Sequence, residues 1–360
     1  MLRETALQYS AISIASTTIA SYVFSFFSRS LAIKYGAMDI PSQIRKIHRS
    51  PTPLWGGLGI AISIFFTVFI LQSSLIFIGS SIRIEQVYGF VIGVCVLLIG
   101  GLIDDVYPLP PRIQVIFPSI AALVVICTGT GIIQITQIGS THAFSLVWWK
   151  FFISGFQFSL PSDIITFIWL LIATYATKIL DGLDGLVSGV LIIGCGFVAV
   201  LGLAPRFFQP DIAILACGIL GSFLGFLPRN THPAKQFLGE SGSTIAGFSL
   251  GVLAILGSAK VAIALSALAI PITDIALVML GRIRRGASPF IGDDTHLHFR
   301  LIQLGLSQRM AVGVYWGMSL LAGIFALGLQ TRGKIFLIAF LIVLTVLTSY
   351  LARIKIQKKI

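Results

Sequence analysis

Apolar residues fill this chain in long blocks separated by short polar stretches. A helix needs about 20 apolar residues to cross the hydrocarbon of a bilayer. On that ruler the pattern predicts eleven spanning helices, at 6–27, 55–78, 86–103, 113–133, 163–180, 186–204, 211–228, 242–258, 261–281, 311–329 and 334–352. The first block, Leu7 to Phe27, is too long for the core of a cleaved leader and lacks an Ala-x-Ala end, so it reads as a retained span. One stretch, 134–162, breaks the pattern. Ile133-Gln-Ile-Thr136 and Phe156-Gln-Phe-Ser-Leu160 alternate apolar and polar residues, as strands do. Trp148 and Trp149 suit a membrane–water interface. An external β-hairpin is expected there. The fold class expected is an all-α polytopic membrane protein, one integral membrane domain over residues 1–360. No internal repeat or separate soluble domain is visible.

Composition agrees. The chain is 56% hydrophobic and 11% charged, with mean hydropathy +0.97. Soluble globular chains carry roughly 25% charged residues. The net charge of +12 invites a nucleic-acid partner, but the basic residues are spread between apolar blocks. No nucleic acid is expected. Cytoplasmic loops of membrane proteins collect Lys and Arg. One alternating set of loops, with the C-terminal tail, holds 18 of the 25 basic residues and the other holds 7. The richer set is expected in the cytoplasm, with the N-terminus external and the C-terminus internal. The four cysteines all lie in apolar blocks without a Cys-x-x-Cys, and read as small buried hydrophobes.

Orientation gathers the acids. Asp104 and Asp105 close one apolar block, Asp181 and Asp184 close another, and Glu240 opens a third. All five fall on the cytoplasmic side. Two carboxylates about 5 Å apart repel by roughly 3 kcal/mol at an effective dielectric near 20, so such a group binds a cation or takes up protons. Oxygen-only ligands favour a hard ion, and Mg²⁺ typically joins one or two carboxylates to substrate phosphates. Asp181 and Asp184 stand three apart, on one face if the turn is helical. Read singly, each pair is also compatible with a solvated helix end.

Two basic loops face the same side. His296 and His298 lie in Ser288-Pro-Phe-Ile-Gly-Asp-Asp-Thr-His-Leu-His-Phe-Arg300, after Arg282, Arg284 and Arg285. Their spacing is not that of a helical zinc site. Two imidazoles beside Arg300 suit a pyrophosphate; a membrane-surface charge run would explain the arginines alone. The loop Asp39–Gly57, with Lys46 as its candidate nucleotide-sugar ligand, suits an anionic headgroup or anionic lipid. Gly242-Ser-Thr-Ile-Ala-Gly247 is followed by Phe248 rather than Lys, so it is not a phosphate-binding Walker loop.

Taken in order, Gly-x-x-Asp-Asp105, Asp181-Gly-Leu-Asp-Gly, Pro233-Ala-x-x-Phe-x-Gly-Glu-x-Gly-Ser and Ser288-Pro-Phe-x-x-Asp-x-x-His-x-His resemble the polyprenyl-phosphate N-acetylhexosamine-1-phosphate transferases (glycosyltransferase family 4). The WecA-like branch is nearer than the MraY-like one, whose three consecutive histidines are missing. Each motif alone is weak; their order is specific, and it spans most of the chain. The resemblance implies an eleven-helix enzyme of the bacterial inner membrane with a cytoplasmic active site. Such enzymes move a sugar 1-phosphate from a UDP-sugar to a polyprenyl (undecaprenyl) phosphate, release UMP and start envelope polysaccharide assembly. They use Mg²⁺, with Mn²⁺ as an alternative, and dimers occur among them. Carried over by position, Asp104 and Asp105 match the first acidic pair, one of them a candidate base or orienter for the lipid phosphate. Asp181 and Asp184 match the pair serving metal and nucleotide. Glu240 stands at the metal aspartate, Asn230 and Phe237 near the uracil, and His296 and His298 at the pyrophosphate.

Four positions depart from the resemblance. Glu240 replaces Asp, Lys178 and Tyr175 replace Asn, and Asp294 replaces Arg. Lys178 is expected to pair with Asp181 or to stand in for part of the metal charge. The same changes suit an altered-donor or impaired paralogue. A secondary transporter would instead need acids at mid-bilayer, where only Asp274 lies; following Pro271, it reads as polar support at a kink.

Overall fold

Helices stand at all eleven positions that the apolar pattern predicts, in a computed structural model that describes residues 2–41, 50–78, 81–136, 143–153, 156–257, 261–286 and 296–357. In chain order they are α1 (Leu2–Tyr35), α2 (Gly56–Ile78), α3 (Ile84–Val106), α4 (Pro111–Gln114), α5 (Ile116–Cys127), α6 (Ser162–Leu180), α7 (Leu186–Leu203), α8 (Pro210–Asn230), α9 (Gly239–Leu256), α10 (Val261–Arg284), α11 (Leu297–Gln303), α12 (Gln308–Gly328) and α13 (Thr331–Gln357). Among the described residues eight, namely α1, α3, α6, α7, α8, α9, α12 and residues 332–355 of α13, are long and apolar enough to cross a membrane. The apolar stretches Gly56–Leu71 of α2 and Pro111–Cys127 across α4 and α5 are shorter. The molecule is an all-α polytopic membrane protein.

The predicted span 113–133 stops early, at Cys127, for a local reason. Gly129 takes φ +74°, its N–H donates to Ile126 O, and Thr130 N–H donates to Val125 O. That is the glycine-terminated helix end in which a left-handed residue satisfies the last carbonyls. Arg83 and Gln86 at the start of α3 then donate to Gly129 O.

Among the described residues there are also three two-stranded ribbons. β1 (Met38–Asp39) pairs with β2 (Thr52–Pro53) across the first predicted cytoplasmic loop. The stretch expected to be one hairpin is two. β3 (Gln134–Thr136) pairs antiparallel with β4 (Ala143–Ser145), and β5 (Val147–Ile153) with β6 (Phe156–Pro161). Trp148 and Trp149 remain 55% and 67% exposed on β5.

Small residues let the helices close on one another. In α1, Ser13, Thr17, Ser21, Ser25 and Ser28 are buried, and the helix runs along α8. A Cβ on Gly221 would strike Thr17, and one on Gly225 would strike the Thr18 carbonyl. Such small-on-small seams replace the hydrophobic drive that lipid cannot supply. α9 is the best-buried helix and packs on α2, α3, α6 and α7. Gly57 of α2 lies against Gly242, and Gly101 of α3 against Ser241, both at the start of α9. These contacts bring the ends of α2, α3 and α9 together. At the far end Asp211 ties α8 to α3 by accepting from Ser81 and Ile82 N–H.

Gly225→Val is therefore expected to push α1 off α8 and cost about 1–3 kcal/mol, as overpacking does. Gly313→Ala, which meets nothing within 4 Å, is the control. Thermal unfolding in detergent compares them; equal melting temperatures would refute the tight seam.

Candidate active site

The first acid pair ends α3, and its two members face different partners. Asp104 Oδ1 accepts from Leu109 N–H at 2.8 Å and from Gln114 Nε2 at 2.9 Å. Asp105 Oδ1 accepts from Glu240 N–H at 2.9 Å, inside the first turn of α9. The other oxygen, Oδ2, is buried against Gly239 with no hydrogen bond. Gly239 has φ +73°, so this position suits glycine twice, by conformation and by space. A cleft between α3, α5 and α9 is lined by Leu97, Phe117 and Pro118, with Asp104, Gln114 and Glu240 among its polar groups.

Lys178 joins the pairs. It lies in the last turn of α6, which packs along α9. Its ammonium donates to Glu240 Oε1 at 2.5 Å and to Gln114 Oε1 at 2.9 Å. The expectation that it pairs with Asp181 is corrected: the side chain reaches across to α9, while Asp181 lies beyond the helix end. Gln114 becomes a two-way connector, donating to Asp104 and accepting from Lys178. Sequence reading passed over this residue, since a lone glutamine carries no signal.

The second pair sits on an irregular turn rather than a helical one. Asp181 caps the C-terminus of α6, and Gly185 begins α7 at φ +80°. Asp184 Oδ2 accepts from Ala234 N–H at 3.1 Å and bonds His232 Nδ1 at 2.8 Å. His232 was also missed by sequence reading; its cue was an imidazole in the loop between two acidic segments. Asp181 has no side-chain hydrogen bond among the described residues. Burial first, then the charges of Glu240 and Asp184, push its carboxyl up to about 8.

The histidine motif meets this turn. His298 lies over Gly182, where any Cβ would strike Nε2. His298 is 1% exposed, and neither ring nitrogen finds a partner among the described residues. Burial pulls its pKa down to about 4. His296 stacks on it, centroids 5.7 Å apart and 6° from parallel.

The remaining candidates divide. Asn230 is buried, its carbonyl accepting from Ser188 Oγ and its amide donating to Gln236 O, so it holds the loop after α8. Phe237 is half-buried, and its backbone bonds Pro53 and Gly56 of the first loop. Arg300 donates to Ser349 O of α13 at 2.8 Å, pinning α11 to that helix. Lys46 and Asp294 lie outside the described residues.

For a divalent metal, the donor chemistry fits with a restriction. Among the described residues no three His, Cys, Asp or Glu side chains are gathered to hold an ion. Glu240 is engaged by Lys178, and Asp184 by His232. Of these three, Asp181 alone keeps its carboxyl uncommitted among the described residues, beside both of those charges. Mg²⁺ asks the protein for only one or two carboxylates and completes its shell with water and phosphate. The site thus suits a metal–phosphate complex better than a bare ion.

Comparisons with known proteins bear on the family. Residues 87–258 match the family model described as Glycosyl transferase family 4. The chain is 31% identical over 324 residues to the probable undecaprenyl-phosphate N-acetylglucosaminyl 1-phosphate transferase of Bacillus subtilis (strain 168), covering 88% of this chain and 84% of that one. It is 27% identical over 339 residues to the decaprenyl-phosphate N-acetylglucosaminephosphotransferase of Mycolicibacterium smegmatis, covering 87% and 79%. It is 27% identical over 309 residues to the undecaprenyl-phosphate alpha-N-acetylglucosaminyl 1-phosphate transferase of Escherichia coli (strain K12), covering 83% and 78%.

Two stability measurements probe this geometry. Lys178→Met strands Glu240 without its counter-charge and is expected to cost about 3 kcal/mol. Adding Glu240→Gln is expected to recover about 1 kcal/mol or more, a non-additivity that unfolding of the four proteins in detergent measures. Strict additivity would mean the pair is not coupled. For His298, the unfolded ring takes a proton below about pH 6.5 whereas the folded ring waits until about 4. Stability is therefore expected to fall as pH drops through that window, by at most about 3 kcal/mol. His298→Phe should lack this loss, and parallel pH slopes for the two proteins would contradict it.

Proposed function

Because the chain belongs to glycosyl transferase family 4, we propose that it transfers an N-acetylhexosamine 1-phosphate, GlcNAc 1-phosphate in the first instance, from a UDP-sugar to a polyprenyl phosphate such as undecaprenyl phosphate. UMP leaves, and the product is the lipid-diphosphate sugar. The observation that carries this reading is the convergence of Asp104 and Asp105, Asp181 and Asp184, Glu240 and His298 from separate elements at one end of the bundle. The names of the relatives supply the substrates. The enrichment of basic residues in the same loops supports a cytoplasmic site, an external N-terminus and an internal C-terminus.

Transfer between two anions needs alignment and charge compensation more than covalent chemistry. Of the first pair, Asp104 is the better candidate to meet the lipid phosphate. Its Oδ1 is fixed by Gln114 and Leu109 N–H, Oδ2 has no described partner, and it lines a cleft with Leu97 and Phe117 suited to an apolar chain. Asp105 acts inside the protein, holding the first turn of α9 so that Glu240 faces Lys178. His296 and His298 approach from α11, and Asn230 secures the loop that carries Phe237. Asp181, with Asp184 or Glu240, would hold Mg²⁺, which when bound neutralises phosphate charge. Lys178 supplies a fixed positive charge to Glu240 beside it.

The test incubates purified protein in detergent with UDP-GlcNAc, undecaprenyl phosphate and Mg²⁺ and measures UMP. UMP release that EDTA abolishes and Asp104→Asn lowers by about 100-fold or more, the scale of a lost proton-transfer group, is the expected result. Release insensitive to EDTA would remove the metal from the reading. Absence of UMP with any UDP-sugar, together with recovery in Glu240→Asp, would favour an impaired paralogue instead.

A further inference from the structure

Asp274 is the deepest acid of this end, set in α10 and 4% exposed. Both its oxygens are committed to the histidine segment. Oδ1 accepts from Leu297 N–H at 2.9 Å, the first amide of α11, and Oδ2 bonds His296 Nδ1 at 2.9 Å. One carboxylate thus fixes the helix start and the ring together. A polar support for a kink would need neither contact.

The ring has one nitrogen left. His296 Nε2 has no hydrogen-bond partner among the described residues, and the residue itself is buried, 7% exposed. His298 stacks against one face of the ring, and its ring nitrogens have no hydrogen-bond partner among the described residues. Around the pair stand Phe299, Tyr315 of α12 and, beyond His298, the turn at Gly182. Among the described residues, the charged or titratable groups around this ring pair are Asp274, His296, His298 and Tyr315.

We propose that Asp274 is the positioning residue of this site. It holds the proton of His296 on Nδ1, so that Nε2 is the atom offered to the anionic pyrophosphate of the nucleotide sugar. A carboxylate on one imidazole nitrogen selects the tautomer and orients the ring. When Nε2 also carries a proton to donate to a phosphate oxygen, the carboxylate compensates the imidazolium. Asp274 acts through His296 and does not itself touch substrate. The assignment of the pyrophosphate rests on the transferase reading; the assignment of the tautomer does not.

Two readouts keep those apart. Nitrogen-15 spectra of histidine-labelled protein in detergent at pH 8, with His296→Gln to identify the signal, report the tautomer without any substrate. The wild type is expected to carry the proton on Nδ1. Asp274→Asn keeps an acceptor for Leu297 N–H but turns an amide donor to the ring, and is expected to move the proton to Nε2. In the UMP assay, Asp274→Asn is expected to raise KM for the UDP-sugar about 10–100-fold, the usual cost of losing such a partner, with KM for the lipid phosphate unchanged. Adding it to His296→Gln should cost nothing further. A wild-type ring with its proton on Nε2 overturns the proposal even if the Asn variant does not fold. Full additivity with His296→Gln also overturns it. An Nδ1 tautomer in a protein that releases no UMP upholds the positioning and rejects the transferase reading alone.

Discussion

Like charges gathered at one end of an apolar bundle repel one another, and the acidic end of this protein is organised around that repulsion. The carboxylates answer it in different ways. Asp104 and Asp105 lean on N–H groups, Glu240 on an ammonium, Asp184 and Asp274 on imidazoles. Asp181 has none among the described residues, and burial, with the charges of Glu240 and Asp184, raises its pKa to about 8. A carboxyl kept protonated by burial and by its neighbours' charges is a group that a cation ionises readily. Under the metal-assisted reading proposed above, this carboxyl is the one that would meet the cation.

That arrangement requires backbones to approach closely, which explains where glycine is needed. Gly57, Gly101 and Gly239 each lie where a Cβ would meet the first turn of α9 or the carboxylate that holds it. Only at Gly239 does the backbone also demand a positive φ. The serine face of α1 and the glycines of α8 perform the same service along the bundle. Packing and site chemistry thus share one requirement, the removal of side-chain volume at helix crossings.

Much of this was legible in the sequence, for physical reasons. A block of twenty apolar residues has few fates, so the helix positions followed from hydropathy. The acid pairs were visible because charge at the edge of such a block is costly. Pairing was not legible. Lys178 is three residues from Asp181 and sixty-two from Glu240, yet bonds the latter, because the end of α6 faces α9 rather than its own turn. His232 with Asp184 and His296 with Asp274 likewise join separate elements. The end of α5 at Gly129 was readable from a glycine ahead of polar residues, but the apolar count outweighed it. Two hairpins in place of one followed from chain reversals that alternation does not specify.

The single amide of Gln114 imposes a constraint on both sides of the site. Its nitrogen side holds Asp104, which faces the apolar cleft, and its oxygen side holds Lys178, which faces the centre of negative charge. An amide cannot satisfy both neighbours if it turns over. A ligand that takes Asp104, or draws Lys178 away, therefore alters the other half through the same group. Coupling of this kind is reciprocal. A ligand in the cleft would therefore be felt at the charged centre, and one at the charged centre would be felt in the cleft.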